Sequence, residues 1–176
     1  MTPQVSNPSK SETLRFGYGD TSLGIVAVAE SVLGVVALFI GDDRAKLLRD
    51  LQSAFPEAEI ILDQAGLAPT VAKATALVEE PHLGTDLKLD LRGSPLEVAV
   101  WNALQSIPAG ETRTYGAIAK ALPVAATAQE VGAACAANRI AIAVPCHRLV
   151  KSDGSISGYR WGVQRKRRLI NKEGVA

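Results

Sequence analysis

Residues 23–40 read LGIVAVAESVLGVVALFI, an apolar run open to two opposite interpretations. A helix that spans a membrane needs about 20 predominantly apolar residues and little charge at its centre. Here Glu30 and Ser31 interrupt the middle, Gly34 follows, and Val and Ile dominate both flanks. Branched side chains lose rotamer freedom in a helix and pack well on a pleated surface. The run is therefore two strands, Gly24–Ala29 and Val32–Ile40, joined by a turn as a hairpin. That choice makes the chain a globular, non-membrane protein and sets the architecture of its first half.

Working outward, Leu14–Tyr18 supplies a third strand. Asp42 and Asp43 precede Ala45, Leu47, Leu48, Leu51 and Ala54, apolar at helical spacing, and Pro56 stops the run. A second helix runs from Pro69 to Glu79 and ends at Pro81. Asp86–Leu91 alternates apolar and polar residues, the period of a half-buried strand. Residues 11–92 thus form an α/β subdomain around a small antiparallel sheet. Residues 1–10 are polar, carry no secretory signal, and read as a disordered tail.

After Gly93 the pattern becomes helical, so residues 93–176 form a second subdomain. Ser94 caps a helix carrying Leu96, Val100, Trp101, Leu104 and Ile107, stopped by Pro108 and Gly110. Thr114 caps Tyr115–Leu122, and an Ala-rich helix follows over Ala125–Ala137. Two short helices in tight succession suggest a helix-turn-helix, though many helix pairs share this spacing. Asp153-Gly154 marks a turn or wing, and the last helix covers Gly162–Glu173. The net charge is only +1, but nine basic residues fall between Arg139 and Lys172 against Asp153 alone. This fits either a polyanion-facing half or a solvated basic helix. No internal repeat is visible.

The chemistry concentrates in Asn138–Val150, NRIAIAVPCHRLV. A buried segment delivers Pro145 and then Cys146, with His147 and Arg148 next. A free thiol is only about 3% ionised at neutral pH, so a neighbouring base or positive charge should favour the thiolate. From spacing alone the cysteine is either a nucleophile or an inert buried thiol. Cys135 and Cys146 with His82 and His147 match no zinc spacing, and two cysteines form no disulfide framework. A reducing, cytoplasmic setting follows.

Pro145-Cys146-His147-Arg148-Leu149-Val150 resembles the active-site signature of the O6-alkylguanine-DNA alkyltransferase family, with Leu149 where Val is usual. Asn138, Gly158-Tyr159-Arg160-Trp161-Gly162, Arg165-Lys166 and Gly110-Glu111-Thr112-Arg113-Thr114-Tyr115 agree with it, in the Ada-type bacterial subgroup. The resemblance spans roughly residues 14–174. It implies a ribonuclease H-like first subdomain and a helical second one with a winged-helix-like helix-turn-helix. The implied activity is DNA repair by irreversible, single-turnover transfer of the alkyl group of O6-alkylguanine, and of O4-alkylthymine, to Cys146. The implied partner is double-stranded DNA bearing the lesion, with no cofactor or metal, and the protein acts as a monomer.

In that scheme His147 removes the thiol proton through a water and Glu173 orients it. Tyr115 gives a proton or hydrogen bond to the departing base at N3. Asn138 braces the cysteine segment. The pocket draws on Cys135, Val144, Ser157, Tyr159, Arg160 and Lys166, the last setting its electrostatics. DNA contacts fall to Thr114, Gln129, Ala133, Ala136 and Arg148. Two departures stand out. Gln129, followed by Glu130, occupies the position where the family carries an arginine that fills the space of the flipped base, which implies weaker reaction on duplex DNA. Leu96-Glu97-Val98-Ala99 lacks the family's aromatic and glutamine, which implies local repacking. No cysteine precedes Cys135, so the zinc module of Ada-type proteins is not expected in this sequence. The competing expectation is a damage sensor that binds alkylated DNA without repairing it.

Overall fold

The computed structural model describes residues 12–174; the disordered tail expected at residues 1–10 lies outside them. The first half of the chain holds β1 (Glu12–Thr21), β2 (Gly24–Glu30), β3 (Val35–Gly41), α1 (Arg44–Ala54), β4 (Ala58–Leu62) and α2 (Ala68–Glu79). The strands form one sheet in the order β3-β2-β1-β4. The hairpin register pairs Val28 with Leu38 and Ala27 with Phe39. Val26–Ala29 of β2 and Val35–Ile40 of β3 are buried without alternation, so both faces of these strands are covered. Helix α2 lies directly on β1: a Cβ added to Gly19 would sit 2.7 Å from Thr75 Cγ2 and 2.9 Å from Val71 Cγ1. Only a residue with no side chain lets the two backbones approach this far.

Three expectations are corrected. The sheet is mixed, because β4 runs parallel to β1, and this strand has no counterpart in the sequence reading. β3 starts at Val35; Val32 is 98% exposed and belongs to the turn. Asp86–Leu91 is not a strand, since Leu89 makes a single bridge with Val35.

The second half contains α3 (Pro95–Gln105), β5 (Arg113–Thr114), α4 (Tyr115–Ala121), α5 (Ala128–Ala136), β6 (Leu149–Val150) and α6 (Val163–Lys172). Ser94 and Glu97 close a capping box at α3, and Thr127 and Glu130 close one at α5. The second box explains why α5 starts at Ala128 and not at Ala125. Trp101 Nε1 donates to the Ala134 carbonyl at 2.9 Å, fastening α3 to α5. β5 and β6 pair in parallel and tie the start of α4 to the chain just after Cys146.

The two halves meet along the outer edge of β3 and at α6. Leu38 N donates to Arg139 O at 2.8 Å and Ala141 N donates to Leu38 O at 3.0 Å, so the outer edge of β3 holds the segment leading to the cysteine. Arg165 of α6 reaches back to Leu23 O at 2.7 Å and to Asp42 Oδ1 at 2.9 Å.

Candidate active site

From the β3 edge the chain needs only seven residues to travel from Arg139 to Cys146, and it does so through two tight turns. Ala143 N donates to Ala141 O at 2.7 Å, which places buried Ile142 at φ 69°. A branched residue in the left-handed region costs about 1–3 kcal/mol and persists only where its surroundings fix it. Cys146 N then donates to Val144 O at 2.8 Å across Pro145, and Cys146–Arg148 form one 3₁₀ turn. Asn138, fully enclosed, braces this path. Its Nδ2 reaches Val144 O at 3.1 Å, Ile140 O at 3.3 Å and Cys146 Sγ at 3.4 Å, while its Oδ1 accepts from Ile140 N at 2.9 Å. Val144 is packed beneath the loop and contributes its carbonyl, not its side chain.

Cys146 is 4% exposed, at the floor of a pocket of about 390 Å³ lined with Tyr115, Gly132, Cys135, Ala136, Gly158, Tyr159 and Arg160. This volume suits a small-molecule site. Burial pushes the thiol well above its ordinary pKa, against smaller opposing contributions from Asn138 and Lys166. The expected help from Arg148 is absent, so the resting group is a thiol.

The neighbouring histidine has a defined tautomer. His147 is fully buried, and its Nε2 lies 3.0 Å from Glu173 Oε2. Burial lowers its pKa in spite of Glu173, so the ring is neutral at pH 7. With Nε2–H donated to the carboxylate, Nδ1 carries the free lone pair; this nitrogen is enclosed and bonds no protein group. Burial opposes ionisation of Glu173, but hydrogen bonds from His147 and Arg148 outweigh it and bring the pKa to about 2.

Arg148 was expected on the DNA surface and is instead part of this interior. Its Nη2 donates to Glu173 Oε2 at 2.6 Å, its Nε contacts both carboxylate oxygens at 3.1 Å, and its Nη1 donates to Ile107 O at 2.7 Å. A guanidinium committed to a buried carboxylate is not available to a phosphate.

Lys166 was expected in the pocket and lies behind it, wholly buried. Its Nζ donates to Ser157 Oγ at 2.8 Å, and Ser157 Oγ is hydrogen-bonded in turn to the Tyr115 hydroxyl. Burial lowers its pKa to about 8. A signal for this burial existed: Lys166 shares helical spacing with Val163, Leu169 and Ile170, on the apolar stripe of α6. Tyr159 packs edge-on against Trp161 at 5.3 Å, and its hydroxyl is enclosed without a partner. Arg160 Nη1 donates to Asn138 O at 2.6 Å.

On α5, Gln129, Ala133 and Ala136 are exposed at positions i, i+4 and i+7, one face beside the pocket mouth. Thr114 Oγ1 accepts from Ala117 N at 3.1 Å and caps α4. Glu130 is held back on Thr127 N at 2.9 Å, away from the free carboxylate that its sequence position suggested. Among the described residues no His, Cys, Asp and Glu cluster could hold a metal ion, and no helix is long and apolar enough to cross a membrane.

Residues 95–175 match the family model for the DNA-binding domain of 6-O-methylguanine DNA methyltransferase. The bifunctional transcriptional activator/DNA repair enzyme Ada of Escherichia coli is 39% identical over 170 residues, covering 97% of this chain and 48% of that protein. The inducible methylated-DNA--protein-cysteine methyltransferase of Bacillus subtilis is 33% identical, covering 83% of this chain and 82% of its own length. The chain spans about half the length of the first curated relatives it matches. Among solved structures, the Mycobacterium tuberculosis O6-methylguanine methyltransferase superposes with a TM-score of 0.74 at 30% identity, covering 91% of this chain and 92% of that one. The same organism's OGT in complex with DNA gives 0.75 at 31%, covering 92% of both.

Proposed function

The chain belongs to the methylated-DNA--protein-cysteine methyltransferase family, and from that premise we propose that it repairs DNA by taking the alkyl group of O6-alkylguanine, and of O4-alkylthymine, onto its own Cys146. The observation that carries this reading is the Cys146 thiol at the floor of a base-sized pocket, followed directly by a neutral, carboxylate-bound histidine. The thiol proton passes through a water to His147 Nδ1, and Glu173 stabilises the imidazolium that forms. Cys146 sulfur attacks the alkyl carbon; the S–C bond forms as the C–O6 bond breaks, and the electron pair leaves with the base. Tyr115 supplies a proton to the ring at N3. The product is a thioether that none of these groups can cleave, so each molecule acts once. No cofactor enters.

A base inside a duplex is out of reach, so the lesion is flipped out, at a cost of a few kcal/mol. The exposed face of α5 carries Gln129, Ala133 and Ala136 to the DNA, with α4 as its neighbour in a winged-helix-like arrangement. The mixed sheet with its helices is ribonuclease H-like and acts as scaffold. The protein works as a monomer in the cytoplasm on double-stranded DNA.

Incubation with O6-benzylguanine followed by peptide mass analysis tests the reading. One benzyl group is expected on Cys146 and none on Cys146→Ser. An unchanged mass in the unsubstituted protein would assign it instead to a non-repairing binder of damaged DNA.

A further inference from the structure

Lys166, Ser157 and Tyr115 form a connected chain that the transfer step above leaves only partly used. Lys166 Nζ is enclosed, and among the described residues its one hydrogen-bonded partner is Ser157 Oγ at 2.8 Å. It forms no ion pair there, although burying an ammonium without a counter-charge is costly. Ser157 Oγ meets the Tyr115 hydroxyl, and Tyr115 lines the pocket above Cys146. Lys166 fixes one end of this chain. An ammonium can only donate, so Ser157 Oγ accepts from it and keeps its own O–H to donate to the Tyr115 oxygen, the polarity a relay towards the pocket requires. The Tyr115 proton is then the free end, facing the pocket.

We propose that Lys166 and Ser157 are positioning residues that recharge Tyr115 as it protonates the departing base, a proposal that rests on the transfer reaction above. Tyr115 O–H gives its proton to the base, Ser157 O–H replaces it, and Lys166 N–H replaces that of Ser157. Lys166 ends as a neutral amine and the base leaves neutral. The thiol proton meanwhile resides on His147, so charge and protons balance. The timing is built in. The groups facing Lys166 are Cys135 of α5, Cys146 and His147 of the 3₁₀ turn, and the Tyr115 ring of α4 at 6.0 Å. Burial favours loss of its proton; negative charge on Cys135 opposes that, as does the charge of the Cys146 thiolate formed for attack. Alkylation removes that charge, so the proton is released as the nucleophile is consumed.

The test compares two reactions at Cys146 over about pH 6.5–9.5: transfer from O6-benzylguanine, whose leaving group needs a proton, and alkylation by iodoacetamide, whose iodide does not. In the unsubstituted protein the ratio of the two rates should fall above about pH 8, where Lys166 loses its proton. Ser157→Ala should lower the ratio about 10- to 100-fold and flatten its pH profile, as loss of a general acid would. Ser157→Thr, which keeps the hydroxyl, should restore both. An unchanged ratio in Ser157→Ala, or a Ser157→Thr protein as impaired as the alanine variant, overturns the relay. Failure of the unsubstituted protein to accept benzyl at any pH would instead overturn the transfer reading itself.

Discussion

Residues 12–92 and residues 93–174 both bury apolar side chains but differ in what they bury beside them. Every enclosed polar or charged side chain, Asn138, His147, Arg148, Lys166 and Glu173, lies in the second half. The first half is dry: Val26–Ala29, Val35–Ile40, Leu47, Leu51 and Leu77 fill its core. Apolar burial at roughly 25 cal/mol per Å² offsets the chain entropy of folding. Enclosed charge does the reverse unless each group is partnered. The difference teaches a division of labour. A sheet stabilised by burial supplies a fixed edge at Leu38, and against that edge the second half assembles groups that would be unstable alone.

The sharpest way to break this comparison is Glu173→Ala set beside Leu51→Ala. Loss of Glu173 leaves Arg148 enclosed without its counter-charge and frees the His147 ring. We expect about 3–5 kcal/mol of lost stability and at least about 100-fold slower benzyl transfer, measured by urea denaturation and single-turnover mass analysis. Leu51→Ala opens a cavity under α1 and should lose about 2–5 kcal/mol, yet the folded fraction should transfer at the unsubstituted rate. Equal slowing in both variants would end the division of labour.

Lys166→Met sharpens the comparison from the other side, since it makes the second half resemble the first. Between about pH 8 and 10.5 the unfolded chain holds a proton on Lys166 that the folded chain has released, so stability due to this group rises with pH across that window. The methionine variant should lack that rise and should gain on the order of 2 kcal/mol at pH 7 while losing transfer. Urea curves at pH 7 and pH 10 decide it; parallel shifts in the two proteins would contradict the burial cost.

The smallest effect is expected at the surface. Gln129→Arg adds a positive charge to the exposed face of α5, where the carboxylate of Glu130 is already withdrawn into the Thr127 cap. Transfer from duplex DNA should quicken about 3- to 10-fold and become more salt-sensitive, with free O6-benzylguanine unaffected. An unaltered duplex rate would remove Gln129 from the interface.

Legibility in the sequence followed the range of the forces involved. Ser94 and Thr114 were readable as caps because a cap acts over three residues. The hairpin was readable because Val and Ile on both sides of Glu30 state their preference locally. β4 was not: Ala58–Leu62 is a short edge strand with Glu59, Ile61 and Leu62 exposed, and only its parallel pairing with β1 identifies it. The Pro145–Arg148 motif gave Cys146 and His147, but not the inward turn of Arg148, which depends on Glu173 from 25 residues later. Nor does any residue type announce Ile142 at positive φ, since that angle is imposed by the fixed ends of the loop.

Covering the outer edge of β3 has a consequence for how the molecule can be divided. Lys88–Asp90 satisfies the edge at Val35, but Leu38 relies on Arg139 and Ala141, beyond any boundary drawn at Gly93. A fragment ending there would keep its apolar strands and leave the Leu38 amide and carbonyl open to the strand of another molecule, an invitation to aggregation. The apparent scaffold therefore depends for its solubility on the segment that bears Cys146.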